Sequence, residues 1–248
     1  MFYFTFELLV MKKIITLLLL SLFYSAGSFR AQALPRAATV KKIAFTFDAC
    51  MTKSMLKRIE TGSDKALYNA AIIEYLRREQ IPATIFITGL WAEKYPEVVK
   101  EIARDTLFEI GNHSYSHRGF TENCYGLSAL AEKEKQTDLQ RSQEILTWLT
   151  GRKPHLFRFP GGCFNAADEL LVKKQGLKTI GWTFASGDAF NGNTDAIIQN
   201  VLQKAKPGAI VVFHLLGGRY APKTAEVIKS VVPELRKRGF NFVTVSGL

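Results

Sequence analysis

Five polar stations interrupt the apolar strand patterns of this chain, and each carries side chains suited to moving a proton or gripping an ion. Asp48 directly follows the apolar run ending in Thr46-Phe47. An aspartate there can act as a base, although aspartate also starts turns. Further on comes Gly111-Asn112-His113-Ser114-Tyr115-Ser116-His117. Histidines four residues apart share one face of a helical turn and can hold one metal ion. The chain has only four histidines, so two of them in this pair points to a metal site rather than to two loop residues. Arg158 sits within the apolar Leu156–Phe159 run and needs a carboxylate partner, because an unpaired buried charge is costly. The Pro160-Gly161-Gly162 turn after it lets backbone N–H groups approach a ligand. Asp188 follows Ser186-Gly187, and His214 ends the apolar run Ile210-Val211-Val212-Phe213. In that company His214 reads as an acid/base group. His155 precedes a strand, at its other end, and receives no role.

The elements that must position these residues alternate in type. Strands are expected over 42–47, 83–88, 107–110, 156–159, 179–183, 209–214 and 241–245. Helices are expected over 64–79, 95–104, 129–150, 166–174, 194–204 and 221–238. Gly151 and Gly176 lie just past helix ends, and Asn193 or Thr194 can cap another. Near-continuous apolar strands alternating with helices mean parallel strands covered by helices. Seven strands fit a closed or nearly closed (β/α) barrel, with an open doubly wound sheet as the alternative. Either fold places functional residues just after the strand C-termini.

Composition sets the outer bounds. The chain has 248 residues, 47% hydrophobic and 22% charged, which excludes disorder, collagen and coiled coil. The net charge of +11 suits an anionic envelope or polymer. No zinc-finger or helix-turn-helix pattern supports nucleic acid as a partner. Met11-Lys12-Lys13, the apolar run Ile14–Tyr24 and Ala31-Gln32-Ala33 read as a secretory signal peptide over residues 1–33, with Met11 as the true start. The expected destination is secreted or periplasmic, with membrane contact only if that segment stays uncleaved. A single domain over 34–248 follows. Export permits disulfides, and the three cysteines, Cys50, Cys124 and Cys163, leave at least one thiol unless chains pair.

These stations resemble the polysaccharide deacetylase family, also called the NodB-homology domain or carbohydrate esterase family 4. Thr46-Phe47-Asp48-Ala49-Cys50 resembles its Thr-Phe-Asp-Asp-Gly motif, and His113-Ser114-Tyr115-Ser116-His117 its His-Ser/Thr-x-x-His motif. Arg158-Phe159-Pro160-Gly161-Gly162 resembles the third motif, and Val212-Phe213-His214 resembles Leu-x-His. The fourth motif is weaker: Asp188 is present, but Ala189 stands where tryptophan is usual. The likeness spans residues 41–246. It implies a distorted (β/α)7 barrel of α/β class and hydrolysis of an N-acetyl group on an amino-sugar polymer such as peptidoglycan, an exopolysaccharide or chitin. It also implies a divalent metal, zinc by expectation, on His113 and His117. Asp48 is the implied base, Arg158 its partner, His214 the acid and Asp188 its orienting group. Pro160, Gly161, Gly162 and Val212 would line the substrate, with a backbone N–H near Gly161 on the oxyanion.

One departure stands out. Ala49 occupies the position of the usual third metal ligand, and a methyl group cannot ligate. A substitute is sought in the segment containing Glu60 and Asp64. Otherwise the ion is weakly held or lost, leaving a non-catalytic glycan-binding barrel. Cys50 is disfavoured as a ligand because adjacent residues at a strand end point different ways. A disulfide to Cys163 is a competing role for it, since both follow strand ends on one rim.

Overall fold

The computed structural model describes residues 40–248. The signal segment expected over 1–33 lies outside the described residues. Eight parallel strands form one sheet: β1 Lys41–Ala49, β2 Ala83–Ile87, β3 Phe108–Asn112, β4 Leu156–Phe157, β5 Lys178–Thr179, β6 Phe184–Ala185, β7 Ala209–His214 and β8 Phe240–Phe242. Their order is β5-β4-β3-β2-β1-β7-β6, with β8 also pairing β1. This is the distorted (β/α)7 barrel that the resemblance implies, rather than an open doubly wound sheet. Helices α1 Lys53–Glu60, α2 Ala70–Arg78, α3 Gly89–Lys94, α4 Pro96–Arg104, α5 Glu132–Thr150, α6 Ala166–Lys174, α7 Thr194–Lys204 and α8 Thr224–Lys237 surround the sheet.

The long central strand β1 organises the core by alternation. Ile43, Phe45, Phe47 and Ala49 join one apolar cluster with Ile72 and Leu76 of α2 and with Val227 and Val231 of α8. Phe45 and Phe47 meet the Phe213 ring at 5.0 and 5.5 Å between centroids. The other parity, Thr46 and Asp48, turns to the opposite face and meets Arg158. A strand that is apolar on one face and polar on the other therefore has both faces buried, the second because a fully buried guanidinium fills the barrel interior.

Several boundaries differ from the sequence expectation. The helix expected over 64–79 begins at Ala70, and an unexpected helix, α1, precedes it; Gly62 takes φ +73 in the break. Helix α3 is also additional, and Thr88 caps it by accepting from the Trp91 N–H. The strand expected over 179–183 is two short pieces on opposite ends of the sheet, β5 and β6, joined by Ile180–Thr183. Strand β4 stops at Phe157 because Arg158 turns inward and Pro160 starts a 3₁₀ turn over Pro160–Gly162.

Candidate active site

Asp48, the penultimate residue of β1, lies in register with His214 of β7. Neighbouring residues of parallel strands in register lie side by side on one face. Arg158 reaches Asp48 from β4: its Nη1 donates to Asp48 Oδ1 at 2.7 Å and to Thr46 Oγ1 at 2.8 Å. Its other N–H groups go to the Ile180 and Gly181 carbonyls, so this fully buried charge is paired and hydrogen-bonded. Burial works to raise the Asp48 pKa, but Arg158, His113 and His214 outweigh it and hold the carboxyl below the usual range.

His113 lies 1% exposed, with Nε2 3.6 Å from Asp48 Oδ2. Its Nδ1 sits 2.7 Å from the Arg158 carbonyl, which can only accept, so Nδ1 carries the proton. Nε2 is then a bare lone pair, buried and without a hydrogen-bond partner among the described residues. The His117 ring lies 5.0 Å away. Burial lowers both imidazoles, that of His117 to about 3, so both are neutral at ordinary pH, the form in which imidazole binds metal.

The helical turn expected for the histidine pair is absent. Residues 113–118 form a loop in which Ser114 and His117 take positive φ, +66 and +54. Side chains pin it: Asn112 Oδ1 accepts from the Ser114 N–H, and Asp138 of α5 accepts from the Tyr115 N–H and the Ser116 hydroxyl. The two imidazoles converge through this pinning rather than through helical periodicity.

His214 pairs with Asp188 through Nδ1 at 2.9 Å. Asp188 also accepts from the His214 N–H, Thr224 and Ser186 hydroxyls. The His214 charge, two hydrogen bonds from His214 and one from Thr224 overcome burial and lower the Asp188 pKa. Burial acts to lower the His214 pKa, and Asp188 more than offsets it, so the net direction is upward. His214 Nδ1 is committed to Asp188, which leaves Nε2 for a reacting group.

Pro160–Gly162 forms the turn after β4. A side chain at Gly161 would meet the Cys124 sulfur, and one at Gly162 would meet the Trp182 ring. Val212, in register with Thr46, lies buried two residues before His214. Beside His117, a groove of about 510 Å³ runs between the start of α1 and the 126–128 loop. His155 stays exposed at the other end of the sheet, near Glu109.

The cysteines depart from expectation. Cys163 pairs with Cys124, not with Cys50, which is free and buried. The 120–128 loop folds over the turn after β4 and carries Cys124 to it, a placement no strand-end argument can supply. Cys50 instead falls with His113 and His117: the three ligand atoms lie within 4.8 Å of one another. It lies two residues beyond Asp48, and i and i+2 share a face of an extended chain. Alternation, used above against Cys50, therefore places it on the Asp48 side, where it still adjoins the apolar cluster that takes in Ala49. Neither Glu60 nor Asp64 is a substitute ligand: Glu60 ends α1 in solvent, and Asp64 is engaged by Arg58 and Arg219. Thr46, Ser186, Thr224, Asp138 and Trp182 complete the site and were not singled out from sequence; of these only Thr46, at i−2 from Asp48, carried a positional signal.

Comparison with known proteins agrees with this architecture. The polysaccharide deacetylase family model matches residues 36–180, and the chain belongs to that family. A peptidoglycan-N-acetylglucosamine deacetylase from Bacillus cereus is 31% identical over 210 residues, covering 84% of this chain and 88% of that one. The crystal structure of the Bc1960 peptidoglycan N-acetylglucosamine deacetylase superposes with a TM-score of 0.69 at 27% identity, covering 84% of this chain and 88% of that chain. A carbohydrate esterase family 4 pseudoenzyme from Bacillus anthracis superposes at 0.67 with 25% identity, covering 85% of this chain and 66% of that chain.

Proposed function

We propose that the protein is an exported hydrolase that removes N-acetyl groups from amino-sugar units of a peptidoglycan-like polymer. One observation carries this reading: a carboxylate held ionised by Arg158 and an imidazole held protonatable by Asp188 stand side by side on β1 and β7. Amide hydrolysis needs a group that takes a proton from water and one that gives a proton to the departing nitrogen.

In the proposed reaction Asp48 accepts the proton of the attacking water while Arg158 fixes its orientation. His214, charged through its contact with Asp188, gives a proton from Nε2 to the amine nitrogen as the C–N bond breaks. Acetate and a free amino sugar are the products. The Pro160–Gly162 turn presents backbone to the substrate carbonyl, and Val212 packs beside the acetyl methyl. The buried lone pair of His113 Nε2 and the neutral His117 fit a divalent ion. Such an ion polarises an amide carbonyl and makes bound water more acidic.

Export is supported by the pattern over residues 11–33 and by the Cys124–Cys163 bridge, a bond that persists in oxidising compartments. A second reading, a non-catalytic glycan-binding barrel, is favoured by Ala49 and by the likeness to a pseudoenzyme. Acetate release from N-acetylglucosamine oligomers and from peptidoglycan separates the two. Asp48→Asn and His214→Gln should each lower release about 10²–10⁴-fold. No release by the native protein on either substrate, with retained binding to them, would establish the second reading instead.

A further inference from the structure

Ala49 leaves the histidine pair one protein ligand short of the three that catalytic zinc sites usually have. Ala49 lies in the apolar cluster, which Cys50 also adjoins, so the deficit has to be met by another residue, and the Asp48 face is the one that meets the histidines. Three features of that face converge on one residue. Cys50 follows Asp48 by two positions and is only 4% exposed. Its sulfur lies within 4.8 Å of ligand atoms on His113 and His117. Finally, His113 Nε2 has a buried lone pair with no partner among the described residues, which calls for a cation there.

We propose that Cys50 is the third protein ligand of the ion held by His113 and His117, giving a Cys-His-His site in place of a carboxylate-containing one. The proposal rests on the metal-assisted reading above and adds the identity of the donor. Ion bonds of about 2.0–2.1 Å to nitrogen and about 2.3 Å to sulfur draw the three atoms together by side-chain adjustments. On binding, the thiol releases its proton to solvent and its sulfur lone pair forms the bond to the ion; nothing is oxidised or reduced. A doubly charged ion favours the thiolate over the thiol. The Cys124–Cys163 bridge occupies the other two cysteines, so Cys50 stays available as a thiol. A thiolate also alters the choice of ion. Soft sulfur suits zinc and cobalt, whereas manganese and magnesium suit oxygen-rich sites.

Cobalt(II) titration of the metal-stripped, disulfide-intact protein tests this directly. Bound cobalt shows visible d–d bands, and a cobalt–thiolate bond adds an intense charge-transfer band in the near ultraviolet. The native protein should show both. Cys50→Ala should lose the thiolate band and bind cobalt more than ~10-fold more weakly, given that even outer-shell changes cost about 10–100-fold. Cys50→Asp should bind cobalt without the thiolate band and shift the ion preference towards manganese. Circular dichroism melts confirm that each variant is folded, and zinc protection of the native thiol from an alkylating reagent gives a second measurement where a variant is not. Visible bands without the thiolate band, together with no zinc protection, overturn the role of Cys50 and leave a two-histidine site. No cobalt binding and no zinc protection in the folded native protein overturn both the role of Cys50 and the metal-assisted reading.

Discussion

Asp188 sets the working state of His214, and that pairing has a pH signature. The carboxylate raises the His214 pKa against the opposing effect of burial. Asp188→Asn removes the opposing charge, so the imidazole loses its proton at lower pH. The alkaline limb of acetate release should move to lower pH, with a drop of about 10²–10⁴-fold at the optimum. Stability follows the same linkage. The His214 contribution is fully present below the unfolded value of about 6.5 and is lost as pH rises through the higher folded value. The Asp188 contribution is present above the unfolded value of about 3.9 and is lost as pH falls through the lower folded value. The destabilisation caused by Asp188→Asn, measured by urea unfolding, should therefore be larger near about pH 6 than near about pH 9. Equal losses at both pH values would mean that the pair is held by packing alone.

At the scale of elements, the histidine loop depends on a helix that supplies no reacting group. Asp138 of α5 accepts from the Tyr115 N–H at 2.8 Å and from the Ser116 hydroxyl at 2.5 Å. Asp138→Ala leaves those buried donors unmet, at about 1–3 kcal/mol each. Acetate release should fall about 10–100-fold, as for other groups that hold ligands from behind. Asp138→Asn, which keeps one acceptor oxygen, should lose less; identical losses in the two variants would refute this role. Element by element, the sequence was readable where alternation or amphipathicity was strong. The β1 and β7 runs, and the caps of α5 and α7 at Gly151 and Asn193, are where the pattern put them. It was unreadable where tertiary contacts override local preference. The histidine spacing implied a helical turn, yet Asn112 and Asp138 hold a left-handed loop. The apolar 179–183 stretch looked like one strand, yet its ends serve different edges of the sheet. Cys50 was legible by alternation from Asp48, but counting from Ala49 hid it.

For the domain as a whole, a covalent clamp complements the core. The Cys124–Cys163 bridge closes a 39-residue separation that spans all of α5 and β4. In the chain-entropy description a loop of that size contributes about 4 kcal/mol. The Cys124→Ser, Cys163→Ser double variant should lose about 2–5 kcal/mol, measured as a lower melting temperature under oxidising conditions. A dithiol reductant should lower the native melting temperature towards the same value and leave the double variant unchanged. Because the bridge also abuts Gly161, the reduced form should lose affinity for substrate as well as stability.

The two ends of the sheet, β5 and β6, do not pair with each other. Across that seam runs Ile180–Thr183, and the carbonyls of Ile180 and Gly181 take their hydrogen bonds from Arg158. The same guanidinium binds Asp48 and Thr46 on β1. One side chain thus ties the seam to the central strand, with Asp48 as its counter-ion. The pair therefore serves the curled sheet as well as the proposed chemistry. In the proposed reaction His113, His117 and the His214–Asp188 couple serve the chemistry alone, whereas Asp48 and Arg158 also hold the sheet. Sorting active from inactive members should therefore weigh the imidazoles above the ion pair.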